Sequence, residues 1–597
     1  MRTTIAGLLL GSAMTSEASA QAPSPVDIPL SLVTQAQGST TPYQLGINVS
    51  INGGASRRYL FDTGSALFNY KVDKPGPPSP FGPSGTGVTY QYGPNGALGV
   101  VTGNLVQLQS LGFQGGVTLT PSTGPGYVAN AVYDVKANQS GFENNFNGTT
   151  YWGVFGAGNF ASWSPKSNTN PPQGLSAPGG ILGQTMVSGV TQGYVVAANG
   201  WTTPNSSTVL PQQPNGITLS VGGQSITPCS PCVTVGLTPQ MLGQFAPIGA
   251  PGNTGLAGVV PTAAATNTTL SSKNFYNPYI ANGGVTGPNT GNNGSRGFGS
   301  FFTTTLTPPG GQPVPVVPPG VPTLLDTGAS LLVSQSYSNT SVSDGTTINA
   351  GVQIAMTGLA GGAPVAGLPT TTAILTNASS NPPPASGTYN AGLYPPDATC
   401  STANTCIRSG LWFYLQNSVM FDLNDNAIGY TPFFVTDASL ATTANGPLII
   451  SGTNVPIGLA GVVSGPGGVT VSSGGALQLS ATNSYTGPTT IAAGGQLLVS
   501  GPGSIASSSG VLNNGVFDIT RAWQAESIQA LTGSGQVFLG SQNLTITNAS
   551  GTFPGTSADN GSYPGPGVSI TYPGTGGSVT ILGGTQTLSG VNTYTGG

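Results

Sequence analysis

Apolar residues in this chain come in short runs of strand length, each closed by glycine, proline or asparagine. "YQLGINVSI" (43–51), "GVTLT" (116–120), "QGYVVAA" (192–198), "SFFTTTLT" (300–307) and "NSVMFDL" (417–423) are examples. No stretch sustains an amphipathic helical period, so the spacing predicts an all-β protein with few, short helices. With 94 Gly and 51 Pro, the composition alone would also fit disorder. A net charge of only -4 and a hydrophobic share of 37 %, much of it β-branched or aromatic, favour folded strands joined by long polar loops. The longest loops fall at 164–180, 247–300 and 376–400.

The chain has no histidine. That excludes Ser-His-Asp and Cys-His nucleophile systems and every site built on a His ligand. Hydrolytic chemistry here must use carboxylates, lysine, or a Ser/Thr with an unusual base. No metal or cofactor is expected. Only 4 % of residues are charged and no Lys/Arg cluster occurs, which argues against nucleic acid as a partner.

Residues 1–20 read as a secretory signal peptide: Arg2, the apolar "IAGLLLGSAM", then Ala18-Ser19-Ala20 as a small-residue cleavage site. No later apolar run is long enough for a membrane-spanning helix. The chain is therefore expected to be exported. Its four cysteines, Cys229, Cys232, Cys400 and Cys406, fit an oxidising compartment and allow three pairings. The local one, Cys229–Cys232 with Cys400–Cys406, is the simplest. A metal or redox role for "CSPC" lacks a second CxxC to support it.

Acidic residues number only 15, yet one of them, Asp62, sits in the apolar segment "RRYLFDTGSALFNY" (57–70). "PTLLDTGASLLVS" (322–334) repeats the pattern around Asp326. One Asp-Thr-Gly is a weak signal in a chain so rich in Gly and Thr, but two copies with apolar flanks are a stronger one. In each, a strand delivers Asp to a tight turn. Two such turns face to face would bring two carboxylates into a poorly solvated cleft. Like charges that close do not both ionise readily, so the pair shares a proton. One carboxylate can then deprotonate a water while the other protonates a carbonyl oxygen or leaving group.

Around these loops the sequence resembles the pepsin-like aspartic proteases over about residues 42–436. "YQLGINVSINGGASRRYLFDTGS" (43–65) resembles that family's entry strands and first catalytic loop. "YGPNGALGVVTGNLV" (92–106) resembles its flap hairpin, "GVFGAG" (153–158) the segment behind the first loop, and "SGLWFYLQNSVMFDLNDNAIGYTP" (409–432) its closing stretch. The resemblance implies a bilobal fold, peptide-bond hydrolysis, and Asp62 and Asp326 as the catalytic pair. It implies that Thr63 and Thr327 brace the loops, that Gly64 and Gly328 lie against the attacking water, and that Ser65 bonds the outer oxygen of Asp62. Tyr92, followed by Gly93, matches the flap tyrosine. The sequence departs from the family pattern at Asn69, where a Trp bonding the flap is usual, at Ala329, where a hydroxyl is common, and at Arg408-Ser409-Gly410, usually two apolar residues and Gly.

After residue 451 the chain becomes rich in Gly, Ser, Thr and Val, with strands of four to six residues. "LQLSATNSYTGPTTI" (477–491) is echoed by "QTLSGVNTYTGG" (586–597), which suggests a stacked β-solenoid. This tail resembles the passenger repeats of bacterial autotransporters. That implies a right-handed parallel β-helix at a cell surface and an outer-membrane anchor through a barrel downstream of Gly597.

The expected organisation is thus a signal peptide (1–20), an N-terminal segment (21–41), two protease lobes (42–212 and 213–436), a linker (437–450) and β-helix repeats (451–597). The expected partner is a polypeptide substrate, cut by a monomer. The alternative is a non-catalytic surface adhesin, or a peptide-binding module that keeps the fold without the activity.

Overall fold

The computed structural model describes residues 25–34, 43–65, 68–70, 87–92, 99–106, 108–120, 131–133, 151–158, 181–182, 185, 187, 190–199, 217–247, 300–316, 321–328, 331–334, 341–343, 348–360, 363–364, 369–377, 388–394, 407–422, 427–452, 455–565, 568–572 and 574–597. Nearly all of the regular structure is β. The two helices among the described residues, Pro239–Leu242 and Leu411–Tyr414, are single turns. No helix of the described residues is long and apolar enough to cross a membrane.

An eleven-stranded sheet forms the centre of the first part. Its path runs Val154–Gly156, Arg57–Asp62, Tyr43–Ile51, Val26–Thr34, Cys232–Leu237, Thr191–Ala197, Ser418–Asp422, Ala427–Thr431, Ala246–Pro247. Alternation sets which face is buried: Leu45, Ile47 and Val49 point into one core with Tyr59, Phe61 and Phe155. The strand Val26–Thr34 corrects the expectation that residues 21–41 precede the folded lobes. It pairs with Cys232–Leu237 on one side and Tyr43–Ile51 on the other. Ile28 and Leu30 are buried and alternate with Asp27, Pro29 and Ser31; the proline, which cannot donate to a ladder, is what argues against a central strand in the sequence.

A nine-stranded sheet carries the second Asp loop and closes on itself where Ser300–Thr307 pairs with Gln353–Ala360. Phe302, Phe413 and Tyr430 pack ring against ring beneath it.

The C-terminal part is a parallel β-solenoid. One of its sheets has seven strands, from Phe434–Thr436 to Thr556–Ala558. Leu477, Leu497, Phe517 and Val537 occupy one inward column, each 20 residues after the last and paired in register. A glycine column keeps the same step at the turns. A Cβ on Gly515 would come within 2.2 Å of the Gly495 carbonyl oxygen, and one on Gly535 within 2.3 Å of that of Gly515. Only glycine lets these turns stack so closely.

The expected linker 437–450 is not a linker. Leu440–Ala441 and Leu448–Ile450 pair in parallel with Val463–Ser464 and Val469–Val471, and Phe434–Thr436 pairs with Ile457–Leu459. The solenoid therefore starts where the closing stretch of the second lobe ends, and the two parts share a packed seam. Gln244 donates to the Leu459 carbonyl (2.9 Å) and to Ser480 Oγ (2.6 Å). Gln478 donates back to the Gln244 carbonyl at 3.2 Å and to Ser500 Oγ at 2.7 Å. Gln244, Gln478, Ser480 and Ser500 are all fully buried. The hairpin Leu219–Ile226 adds antiparallel to Leu448–Ile450 at the edge of the solenoid.

Candidate active site

Each Asp ends or follows a strand that is held from behind by a parallel partner. Leu60–Asp62 pairs with Val154–Gly156, and Thr323–Leu324 pairs with Ile407–Arg408. The two loops are thus built alike, although the second has a polar backing, Arg408-Ser409 in place of Val154-Phe155. Ser409 uses that polarity: its Oγ accepts from the Asp326 N–H at 3.3 Å, in a position the first loop fills with Phe155.

The loops clasp each other through their threonines. The Thr63 N–H donates to Thr327 Oγ1 and the Thr327 N–H to Thr63 Oγ1, both at 3.0 Å. Thr63 Oγ1 donates to the Leu325 carbonyl at 2.9 Å, and Thr327 Oγ1 to the Phe61 carbonyl at 2.8 Å. All four backbone and hydroxyl donors therefore cross from one loop to the other. Each bond is buried and contributes about 1 kcal/mol net, but losing one partner would strand the other at a higher cost.

Inside each loop, the Gly64 N–H donates to Asp62 Oδ1 and the Gly328 N–H to Asp326 Oδ1, both at 2.8 Å. Ser65 Oγ donates to Asp62 Oδ2 at 2.6 Å. Asp62 also shares a hydrogen bond with the Asp326 side chain. Both carboxyls are buried, at 7 % and 5 % exposure. The glycines face the opposite carboxyl rather than a water alone. A Cβ on Gly64 would lie 2.2 Å from Asp326 Cγ, and one on Gly328 2.5 Å from Asp62 Cγ. Any side chain there would force the pair apart.

Burial pushes the Asp62 carboxyl well above the usual carboxylate range, and the neighbouring Asp326 pushes it further. The bonds from Ser65 and Gly64 oppose this by stabilising the ionised form. Two carboxyls in contact, with desolvation outweighing the donors, make a pair that holds a proton between them.

The remaining expected site residues fare differently. Tyr92 ends the strand Gly87–Tyr92, which forms an antiparallel hairpin with Gly99–Val106. Gly93, Ala329, Cys400 and Cys406 lie outside the described residues. Cys229 and Cys232 form the local disulfide. Asn69 is buried, and its Oδ1 accepts from the Val154 N–H at 3.0 Å. It thereby fixes the strand behind the Asp62 loop. Sequence reasoning missed two residues, Ser409 and Tyr414. The signal for both was a hydroxyl in an otherwise apolar stretch next to the second motif's partner strand.

No protein-family model matches the chain, and no curated protein matches it. Among solved structures, the crystal structure of an aspartic proteinase from Irpex lacteus is similar to it. The match is 13% identical and covers 68% of this chain and 97% of that one, with a TM-score of 0.35. A likeness at that score carries no weight for function, which rests instead on the carboxyl geometry.

Proposed function

We propose that the chain is an aspartic-type endopeptidase that hydrolyses peptide bonds with Asp62 and Asp326. The observation that supports this best is the mutual clasp of the two loops. Each glycine lies against the other loop's carboxyl, and the carboxyls share a hydrogen bond in a buried site. A purely structural Asp-Thr-Gly turn has no need to hold two costly carboxyls in contact.

The chemistry follows from one proton on the pair. The ionised carboxyl takes a proton from water as its oxygen attacks the peptide carbonyl, while the protonated carboxyl gives its proton to the carbonyl oxygen. The resulting diol collapses as one of its hydroxyls gives its proton to the ionised carboxyl, the C–N bond breaks, and the departing nitrogen takes the proton of the other carboxyl. Water is consumed, an acid and an amine leave, and the pair regains its single proton. In this proposal the hairpin Gly87–Val106 covers an extended peptide lying over the pair. The leader at 1–20 exports the chain, and the solenoid holds the catalytic part at a cell surface.

The test is cleavage of an unstructured peptide pool across acidic to neutral pH. Wild type should cut. Asp62→Asn and Asp326→Asn should each lose activity by orders of magnitude while keeping the fold. Absence of cleavage by wild type at every pH sinks the proposal in favour of a peptide-binding or adhesive surface protein.

A further inference from the structure

We infer that Tyr414 is a positioning residue for the carboxyl pair, its buried hydroxyl setting the gap between the two Asp loops. This rests on reading the pair as a working dyad. Tyr414 ends the short helix Leu411–Tyr414, which begins at Gly410, just beyond the strand that backs the second loop. Its side chain is fully buried. Its Oη lies 2.9 Å from Thr63 Oγ1, in the first loop, and 3.1 Å from the Leu325 carbonyl oxygen, in the second.

Counting protons shows what this adds. On one side of the clasp, the Thr327 hydroxyl has a fixed assignment: it accepts from the Thr63 N–H and donates to the Phe61 carbonyl. On the other, the Thr63 hydroxyl accepts from the Thr327 N–H but has one proton for two neighbours, the Leu325 carbonyl and Tyr414 Oη. Either Thr63 donates to Leu325 and Tyr414 donates to Thr63, or Tyr414 donates to Leu325 and Thr63 donates to Tyr414. In either arrangement the two hydroxyl protons make two bonds, a chain that links Tyr414, Thr63 and Leu325 across the two loops. The chain joins Leu325, one residue before Asp326, to Thr63, one residue after Asp62. Tyr414 is therefore part of the link between the residues flanking the two carboxyls, on one side of an otherwise two-fold arrangement.

A shared proton depends steeply on carboxyl separation, because contact is what splits the two titration steps of the pair. Without the hydroxyl, the Leu325 side of the clasp relaxes. The carboxyls move apart and their two apparent pKa values converge.

Tyr414→Phe tests this. We expect KM within about twofold of wild type and kcat lower by about tenfold, the loss of one buried hydrogen bond expressed in the transition state. The bell of activity against pH should narrow from both sides. The same convergence should appear without substrate, in the carboxyl 13C shifts of aspartate-labelled protein; with 12 aspartates in the chain the spectrum is sparse. 4-Aminophenylalanine at 414, which restores a donor, should recover both readouts. Unchanged kcat and unchanged titration in Tyr414→Phe overturn the inference, even if stability falls. If Tyr414→Phe does not fold, 3-fluorotyrosine is read instead; as a stronger donor of the same shape it should shift the carboxyl titration, and no shift overturns the inference. If wild type cuts nothing but Tyr414→Phe still brings the two titration steps together, the hydrolase reading fails and the positioning role stands. If wild type is active and Tyr414→Phe matches it in every readout, the reverse holds.

Discussion

Glu526 offers a quantitative test of how the solenoid responds to pH. It starts the strand Glu526–Ile528 and is 1 % exposed. Oε1 accepts from the Ile505 N–H at 2.8 Å and from Ser504 Oγ at 3.2 Å, while Oε2 is buried without a hydrogen-bond partner. Desolvation outweighs those donors and pushes the carboxyl from 4.5 up to about 7. A raised folded-state pKa means that the folded protein prefers the protonated acid. The associated stability is fully present below the unfolded value near 4.5. It declines as pH rises from there to about 7, then levels off. At 1.36 kcal/mol per unit, the loss between pH 4 and pH 8 is about 3 kcal/mol. Glu526→Gln removes the ionisation. Its amide carries its own constant cost, the same at every pH, so the comparison of interest is the difference between the two pH values. The variant should gain about 3 kcal/mol on wild type in going from pH 4 to pH 8. A stacked solenoid need not unfold in one step, so the local urea midpoint should be read by hydrogen exchange on peptides spanning 516–546. Asp62→Asn serves as the background to prevent self-cleavage. An effect of Glu526→Gln that is equal at the two pH values refutes the reasoning.

Three further outcomes follow from contacts described above. Gly64→Ala places a methyl 2.2 Å from Asp326 Cγ, so peptide hydrolysis should fall at least about a hundredfold, read by kinetics, and the overlap should also lower the unfolding temperature, read by calorimetry on the same preparation. Ser65→Ala removes a donor that stabilises ionised Asp62, so the acidic limb of kcat/KM should move to higher pH by about one unit; a limb that stays put contradicts the assignment. Gly515→Ala drives a Cβ into the Gly495 carbonyl, and the solenoid should lose about 2 kcal/mol or more, seen as early exchange of the rungs around 495–515 while the carboxyl titration of Asp62 is unchanged.

The catalytic candidates were legible because their chemistry is local. A strand, a carboxyl and a tight turn can be read within ten residues, and the second copy made the pair visible. The all-β class was legible for the same reason, through short apolar runs and frequent turn residues. What was not legible depended on distant neighbours. Val26–Thr34 takes its place in the sheet from the next strand, Tyr43–Ile51, and from Cys232–Leu237, about 200 residues on. Residues 437–450 looked like a junction because each strand there is only two or three residues long. Such strands persist only when stacked on the next rung. The 20-residue step was present in the glycines at 475, 495, 515, 535 and 555, but in a chain with 94 glycines it does not stand out without the stacking that requires it. Asn69 was weighed as a missing partner for the flap; its buried bond to Val154 gives it a different task.

Among the described residues, four carboxyls are displaced in one direction. Burial raises Asp62 in the dyad, Asp518 to about 6, Glu526 to about 7, and Asp437 to about 7. Asp437 lies at the seam between the central sheet and the solenoid, where it shares a hydrogen bond with Asp27, itself held by Thr234 at 2.6 Å. A chain with so few charges has little with which to neutralise a buried carboxylate, so protonation is the cheaper solution. The consequence reaches beyond the catalytic pair. The solenoid and its seam are most stable when Asp518, Glu526 and Asp437 keep their protons. As pH rises towards 7, their titration loosens the rungs and the seam that support the lobe carrying the pair. Stability should therefore decline over that window whatever the activity of the pair does.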